Sequence, residues 1–182
     1  MTSSPGREAL LQATIAIVAN EGLRALTYRA VAGRAGVSHG LVRHHFGTRD
    51  QLIAAALEFA IEDSLRESSM HDDIEDADDF ASGLESIASR STDVQAFQYE
   101  LLLESRRRPE LRPHVERYYE TYRDATYERL RRLGVEDEEL MQAIWFALDG
   151  IVLKQLTLGG GDDIDRVLTR IRRLVREASH PA

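Results

Sequence analysis

The sequence predicts an all-α protein of about nine helices. Apolar residues recur three and four positions apart along almost the whole chain, and no stretch alternates with period two for long. Helix-ending glycines and capping Ser, Thr and Asp residues divide this pattern into separate helices. The 182 residues are enough for a small domain joined to a modest one, and the chain contains no internal repeat.

The first two helices are predicted from their stop and start signals. The first covers about residues 7–20, and Gly22 ends it as a left-handed cap, a conformation that glycine adopts at little cost. Thr27 caps a short second helix over about residues 28–35.

The third and fourth helices follow after a tight turn at Gly36. Ser38 caps the third helix, which runs through about His45, and Thr48–Gln51 forms a capping box that opens the fourth. Two short helices joined by a turn of three or four residues make a helix-turn-helix. The sequence therefore predicts this motif over about residues 27–46.

An acidic segment separates these helices from the remaining ones. Residues 67–79, ESSMHDDIEDADD, contain seven carboxylates and few core side chains, which predicts a loop and a boundary. The helical pattern resumes at Phe80 and again over about residues 94–107, where Pro109 ends it. The next helix is predicted from about Pro113 to the glycine that follows Leu133.

The last two helices are the most apolar part of the chain. Residues 138–158 are apolar around most of the helix circumference, so this helix must be buried on more than one side. Three glycines at 159–161 separate it from a final helix with one apolar stripe. These glycines are not a phosphate-binding loop, because no Lys-Ser or Lys-Thr pair follows them.

Charge is distributed unevenly along the chain. The net charge is −8, but the first fifty residues carry +3 and the remainder −11. A small basic end on a larger acidic body indicates that this end meets a polyanion.

The predicted third helix has an apolar and a polar face. Val37, Val42 and Phe46 are expected to point inward. The outward positions hold Ser38, His39, Gly40, Arg43 and His44. A recognition helix reads base edges with such side chains at its N-terminal end, so the pattern predicts binding of double-stranded operator DNA.

Two motifs in this region are characteristic of one family. The chain reads T-x-R-x-V-A-x-x-A-G-V-S-x-G from Thr27 and H-F-x-T-R-x-x-L from His45. Residues 7–53 thereby resemble the N-terminal domain of tetracycline-repressor (TetR) family regulators. The stretches Tyr99–Leu111 and Ala147–Ile151 resemble one subset of the C-terminal domains of that family.

The resemblance implies two domains with different functions. Residues 1–53 are expected to bind DNA, and residues 54–182 to hold a small-molecule inducer of unknown identity and to form a homodimer. By position, the family's DNA contacts fall on Thr27, Tyr28, Arg29, Ser38, His39, Gly40, Leu41, Arg43, His44, His45 and Arg49. Tyrosine is usual in the family where this chain has Arg43, so an arginine contact to phosphate or guanine is expected instead.

Candidate ligand and dimer residues lie in the C-terminal part. Aromatic residues there could line a pocket or form plain core, and a carboxylate inside an apolar helix needs a partner. The ligand candidates are Tyr99, Tyr118, Tyr122, Trp145, Phe146 and Asp149, with Tyr119 in the same cluster. The dimer is expected to use apolar stripes that the rest of the chain is too short to cover: Leu148, Val152, Leu156, Val167, Leu168, Ile171, Leu174 and Val175.

The predicted function is a ligand-responsive repressor that binds a palindromic operator and is released by its inducer. The alternatives are a small helical enzyme or metabolite-binding protein with an incidental helix-turn-helix, and a DNA-packaging protein, which the acidic body disfavours. No HExxH, GxSxG or GxGxxG motif is present, so no catalytic residue or cofactor is predicted.

Metal binding and membrane insertion are also not predicted. The chain has no cysteine, and no carboxylate lies at helical spacing among His39, His44 and His45. No apolar run reaches the length of a membrane-spanning helix, so the sequence predicts a cytoplasmic protein without a membrane partner.

Overall fold

A computed structural model describes residues 5–67, 76–82, 84 and 92–179. Within those ranges the chain forms α-helices and short 3₁₀ helices and no strand, which confirms the all-α prediction. None of the described helices is long and apolar enough to cross a membrane. The helices are α1 (Pro5–Glu21), α2 (Tyr28–Ala35), α3 (His39–Phe46), α4 (Arg49–Glu67), α5 (Thr92–Glu104), α6 (Arg112–Arg132), α7 (Glu138–Leu158) and α8 (Asp162–Ser179).

The described part of the chain thus has eight α-helices where the sequence predicts about nine. Three 3₁₀ helices cover Leu23–Ala25, Ala77–Asp79 and Pro109–Leu111. The helix expected after Phe80 falls mostly on residue 83 and residues 85–91, which lie outside the described residues.

Local capping interactions define the ends of the first helices. Thr27 Oγ1 accepts a hydrogen bond from the Ala30 N–H at 3.1 Å, as predicted for the start of α2. Gly36, with φ 68° and ψ 27°, ends α2 in the left-handed conformation. Gly22 also has a positive φ of 78°, but its ψ of 164° is not that of the left-handed helical cap that the sequence predicts. Both φ values lie where a side chain would be strained.

The start of α4 is the predicted capping box. The Thr48 N–H donates to Gln51 Oε1 at 3.0 Å, and the Gln51 N–H donates to Thr48 Oγ1 at 3.2 Å. Each residue therefore satisfies a backbone N–H of the other, which fixes the direction in which α4 leaves the turn after α3.

The described residues divide into two compact units. The first contains the described residues up to Ser64 together with Asp93–Tyr118, and the second contains those between Leu65 and Thr92 together with those from Tyr119 onward. The first unit is built around fully buried side chains of α1, α4 and α5 and of two short segments outside these helices: Leu10, Leu11, Ile17, Leu26, Leu52, Ile53, Leu57, Phe97, Leu101 and Leu111.

The second unit has its own core, formed mainly by α7 and α8. Its members include Leu130, Ile144, Leu148, Ile151, Ile164, Leu168, Ile171 and Val175. The expectation that the remaining chain cannot cover the stripes of the last two helices is therefore wrong for Leu148, Leu168, Ile171 and Val175. Each of these four side chains is at most 8% exposed within a single chain.

Part of the predicted dimer face does remain open to solvent. Val167 is 43% exposed, and Val152, Leu156 and Leu174 are half-buried. Three further apolar residues of α7 are also exposed: Phe146 at 59%, Leu153 at 43% and Leu158 at 80%.

Candidate nucleic-acid interface

The helix-turn-helix consists of α2 and α3, two helices of eight residues each. Val31 and Ala32 of α2 and Val42 and Phe46 of α3 are buried, so the two helices pack through their apolar faces. The opposite face of α3 and the residue before it remain exposed. This face consists of Ser38, His39, Gly40, Arg43 and His44, and we call it the α3 face.

The start of the α3 face is open for contacts with another molecule. Ser38 occupies the N-cap position, but its side chain makes no capping hydrogen bond, so the predicted cap is wrong. Its hydroxyl is therefore not used by the helix. A Cβ atom added at Gly40 would meet nothing within 4 Å, so the backbone at this position can approach a base edge closely.

The predicted contacts at the start of α2 differ in their availability. The Thr27 hydroxyl oxygen accepts a hydrogen bond from the Ala30 N–H, and both Thr27 and Arg29 are exposed. Tyr28 is half-buried, and its hydroxyl donates to the Gly47 carbonyl at 2.7 Å. The one hydroxyl proton of Tyr28 is thus already donated within the protein, and the predicted contact of Tyr28 with DNA stays a prediction.

Arg49 is likewise engaged within the protein. Its guanidinium donates to the backbone carbonyl oxygens of Leu26, at 3.1 Å, and of Leu23. Burial, followed by the positive charge of Arg108, lowers the pKa of Arg49. Arg49 therefore holds the start of α4 against the 3₁₀ turn before α2, and its predicted contact with DNA stays a prediction.

The other two predicted contacts are half-buried. Leu41 lies near α1, because a Cβ added at Gly6 would be 3.9 Å from Leu41 Cδ2. The His45 ring packs against Phe46, with 6.0 Å between ring centroids. Both residues can present only part of their side chain to DNA.

Further hydrogen bonds and ion pairs lie next to Arg49. The Leu23 N–H donates to Glu100 Oε1 of α5 at 3.3 Å, while the Leu23 carbonyl accepts from Arg49. Arg108 donates to Asp50 at 2.7 Å and to Glu110 at 2.8 Å. These contacts connect the segments on either side of the helix-turn-helix with α5 and with the segment that follows α5.

Sequence reasoning missed the role of Arg108. The pattern over about residues 94–107 predicts a helix whose last turn would contain Arg106 and Arg107, but α5 ends at Glu104. Arg107 instead pairs with Glu104 at 2.6 Å. The only sequence signal for Arg108 is its place next to Pro109, because its partner Asp50 lies 58 residues away.

The first helix contributes a second unforeseen contact. The Arg7 guanidinium carbon lies 5.3 Å from the centroid of the Phe46 ring, so a cation–π contact joins α1 to the end of α3.

The six predicted ligand residues are not in one unit. Tyr99 and Tyr118 are buried in the first unit, whereas Tyr122, Trp145, Phe146 and Asp149 belong to the second. Within the second unit, the rings of Tyr119 and Trp145 meet edge to face, with 5.2 Å between centroids.

A neighbouring groove of the second unit is lined by other residues. It is an open groove between α6 and α7, and it contains none of the predicted ligand residues. Its lining is Arg123, Asp124, Tyr127, Arg131, Glu138, Glu139 and Gln142.

Comparisons with known protein families cover most of the chain. Residues 10–56 match the family described as bacterial regulatory proteins, tetR family, and residues 75–178 match the tetracyclin repressor-like C-terminal domain. The second match alone extends over more than half of the chain.

Curated relatives are similar in the N-terminal part. The chain is 47% identical over 57 residues to the HTH-type transcriptional repressor Rv3405c of Mycobacterium tuberculosis, which is 29% of this chain and 30% of that protein. It is 37% identical over 51 residues to the regulator BetI of Rhizobium meliloti, which is 28% of this chain and 25% of that protein. The chain thus spans about a third or less of the relatives it matches.

Solved structures match over nearly the full length. The multidrug binding protein EbrR, in complex with imidazole, has 30% identity and a TM-score of 0.66, over 93% of this chain and 96% of EbrR. A putative TetR-family regulator from Rhodococcus sp. has a TM-score of 0.75 at 19% identity, over 96% of this chain and 98% of that chain.

Proposed function

Because this chain belongs to the tetracycline-repressor family of bacterial transcriptional regulators, we propose that it is a repressor that binds a palindromic operator as a homodimer. A small-molecule inducer bound by its C-terminal helices would release it from the operator. We assign operator binding to residues 1–53 and ligand binding and dimerisation to residues 54–182. The proposal includes no catalytic activity, metal or cofactor, and it places the protein in the cytoplasm with bacterial DNA.

The observation that carries this proposal is the α3 face. It combines a cation, two imidazoles, a hydroxyl that the helix does not use and an open glycine on one exposed surface. These are the groups with which recognition helices read base edges and hold phosphates. The positive charge of the first fifty residues supports approach to DNA, while the acidic remainder disfavours wrapping.

The proposed homodimer is supported by the exposed apolar residues of α7 and α8. Phe146, Leu153, Leu158 and Val167 are exposed on helices that bury other apolar residues in the core of the second unit. Exposed apolar side chains of this size on two adjoining helices favour association with a second copy.

The proposed inducer is supported by similar proteins that bind small molecules. EbrR has been solved with imidazole, proflavin and ethidium, and its identity to this chain is 28–30% in those structures. We propose that this chain also binds a small organic molecule.

Selection of duplexes from a random-sequence library tests the operator proposal. We expect the full chain to enrich a palindrome, and Arg43→Ala to weaken binding to it by about 1–3 kcal/mol if Arg43 reads a guanine. If Arg43 contacts only phosphate, the loss should be equal across operator variants.

The matched control is Arg166→Ala, which removes the same charge from the exposed surface of α8. This variant should bind the selected palindrome like the wild type. Failure to enrich any sequence, or equal losses for the two variants, would contradict the assignment of the α3 face.

A further inference from the structure

Arg7, in the first turn of α1, carries a positive charge that the described residues leave without an anionic partner. Its side chain is half-buried and forms no ion pair or hydrogen bond with another described residue. Its guanidinium carbon lies 5.3 Å from the centroid of the Phe46 ring. The five N–H donors of the guanidinium are therefore available to a molecule outside the chain.

The contact with Phe46 holds Arg7 in place without using its donors. A cation–π contact positions the guanidinium but pairs none of its N–H groups with an oxygen atom. The Phe46 ring is 5% exposed and belongs to the packed interior of the helix-turn-helix. A long side chain that is already positioned loses less conformational freedom when it binds a partner. Arg7 is thus prepared to bind an anion.

The start of α1 lies directly beside α3. A Cβ added at Gly6 would be 3.9 Å from Leu41 Cδ2, and the next residue of α1, Arg7, contacts the ring of Phe46. Two consecutive positions of α1 therefore lie close to two different residues of α3.

Ring contacts continue from Phe46 to the α3 face. The centroid of the His45 ring lies 6.0 Å from that of Phe46 and 5.5 Å from that of His44, an exposed member of the α3 face. Phosphates border the major groove on both sides of a recognition helix, and elements that pack beside this helix meet them. The position of Arg7 at the flank of α3 therefore favours a phosphate as its anion.

We propose that Arg7 contacts a phosphate of the operator and that Phe46 positions it for this contact. The inference rests on the proposed function, because it adds a residue to the operator-binding surface. None of the predicted DNA contacts lies on α1, so the proposal also adds this helix to the elements that meet DNA. A guanidinium can donate two N–H groups to one phosphate, and such a contact positions the protein without reading the sequence.

The salt dependence of operator binding distinguishes a phosphate contact from a purely structural one. Each phosphate that a protein neutralises contributes about 0.9 to the slope of log affinity against log salt concentration. Arg7→Met removes the charge and keeps an unbranched apolar side chain. On the palindrome selected with the full chain, we expect this slope to become smaller by about 1.8, because each of the two chains loses one contact.

The affinity itself should fall roughly tenfold or more at low salt, because hydrogen bonds to a charged group are lost. The loss should be the same for the palindrome and for its single-base variants, since the phosphates are the same in all of them. Arg7→Lys keeps the charge but not the planar fork of donors. This variant should retain the wild-type slope and bind with an affinity between those of the wild type and Arg7→Met.

The matched control is Arg34→Met, which removes the same charge from the same unit. Arg34 Nη1 lies 3.9 Å from Glu21 Oε1 at the other end of α1, about 21 Å along the helix from Arg7. We expect this variant to keep the wild-type affinity and slope. Chemical denaturation of all three variants verifies that they are folded.

The outcomes separate this inference from the proposed function. A folded Arg7→Met protein with the wild-type slope would overturn the phosphate contact even if its affinity falls, because displacement of α3 alone leaves the number of neutralised phosphates unchanged. Equal losses for Arg7→Met and Arg34→Met would also overturn it, since they would reflect net charge. In both cases specific binding by the wild type retains the repressor, whereas its absence would reject the repressor and the Arg7 contact together.

Discussion

At the scale of single residues, Gly40 on the α3 face is the position where stability and DNA binding can be measured separately. This glycine lies in the first turn of α3, and no atom lies within 4 Å of a Cβ added there. Alanine at such a helical position costs less conformational entropy than glycine. A change that helps the fold can therefore harm the proposed function.

We predict that Gly40→Ala raises the free energy of unfolding by up to about 1 kcal/mol, because alanine is the better helix former. The added methyl group would lie on the α3 face, and we expect it to weaken operator binding by about 1–3 kcal/mol through overpacking. Chemical denaturation and a binding isotherm on the selected palindrome measure the two effects.

Gly33→Ala is the matched control for this prediction. Gly33 is an exposed helical residue of α2, and a Cβ there also meets nothing within 4 Å. This variant should gain similar stability and keep the operator affinity of the wild type. If both variants bind the operator equally well, Gly40 does not lie in the interface.

At the scale of helices, much of the structure could be predicted because the signals are local. The Thr27 cap and the Thr48–Gln51 capping box depend on residues three positions apart, so the sequence contains both partners side by side. The sequence predicts DNA contacts for Tyr28 and Arg49, because no neighbouring residue indicates the hydrogen bonds that their side chains donate within the protein. Those partners are backbone carbonyls 19 and 23–26 residues away, which only the packed fold brings close.

The same reason explains the error on the last two helices. The periodicity of α8 predicts an apolar stripe, and the stripe exists, but its pattern does not reveal which element covers it. The fold buries Leu168 and Ile171 within the chain and leaves Leu153 exposed on α7. The proposed interface between two copies is therefore tested at Leu153 and not at the buried positions.

We predict that Leu153→Glu prevents formation of the homodimer, because a buried, unpaired carboxylate at the interface would be strongly unfavourable. The matched control is Leu103→Glu, which places the same charge on an exposed leucine of α5. Sedimentation should give monomers for the first variant and dimers for the second. Two dimeric variants would exclude Leu153 from the interface.

At the scale of the whole molecule, the central claim is that two copies place their α3 helices in successive major grooves on one side of the DNA. This geometry requires half-sites about one helical turn apart, near 34–36 Å. A protein that binds DNA as a monomer, or through charge alone, does not require a fixed spacing between half-sites.

The most direct test is to change the spacing of the selected palindrome without altering its half-sites. Inserting about five base pairs, half a helical turn, places the half-sites on opposite sides of the DNA. The dimeric arrangement predicts that two chains bind the original duplex and that the affinity falls to that of an isolated half-site after the insertion. An affinity that does not depend on the spacing would contradict it.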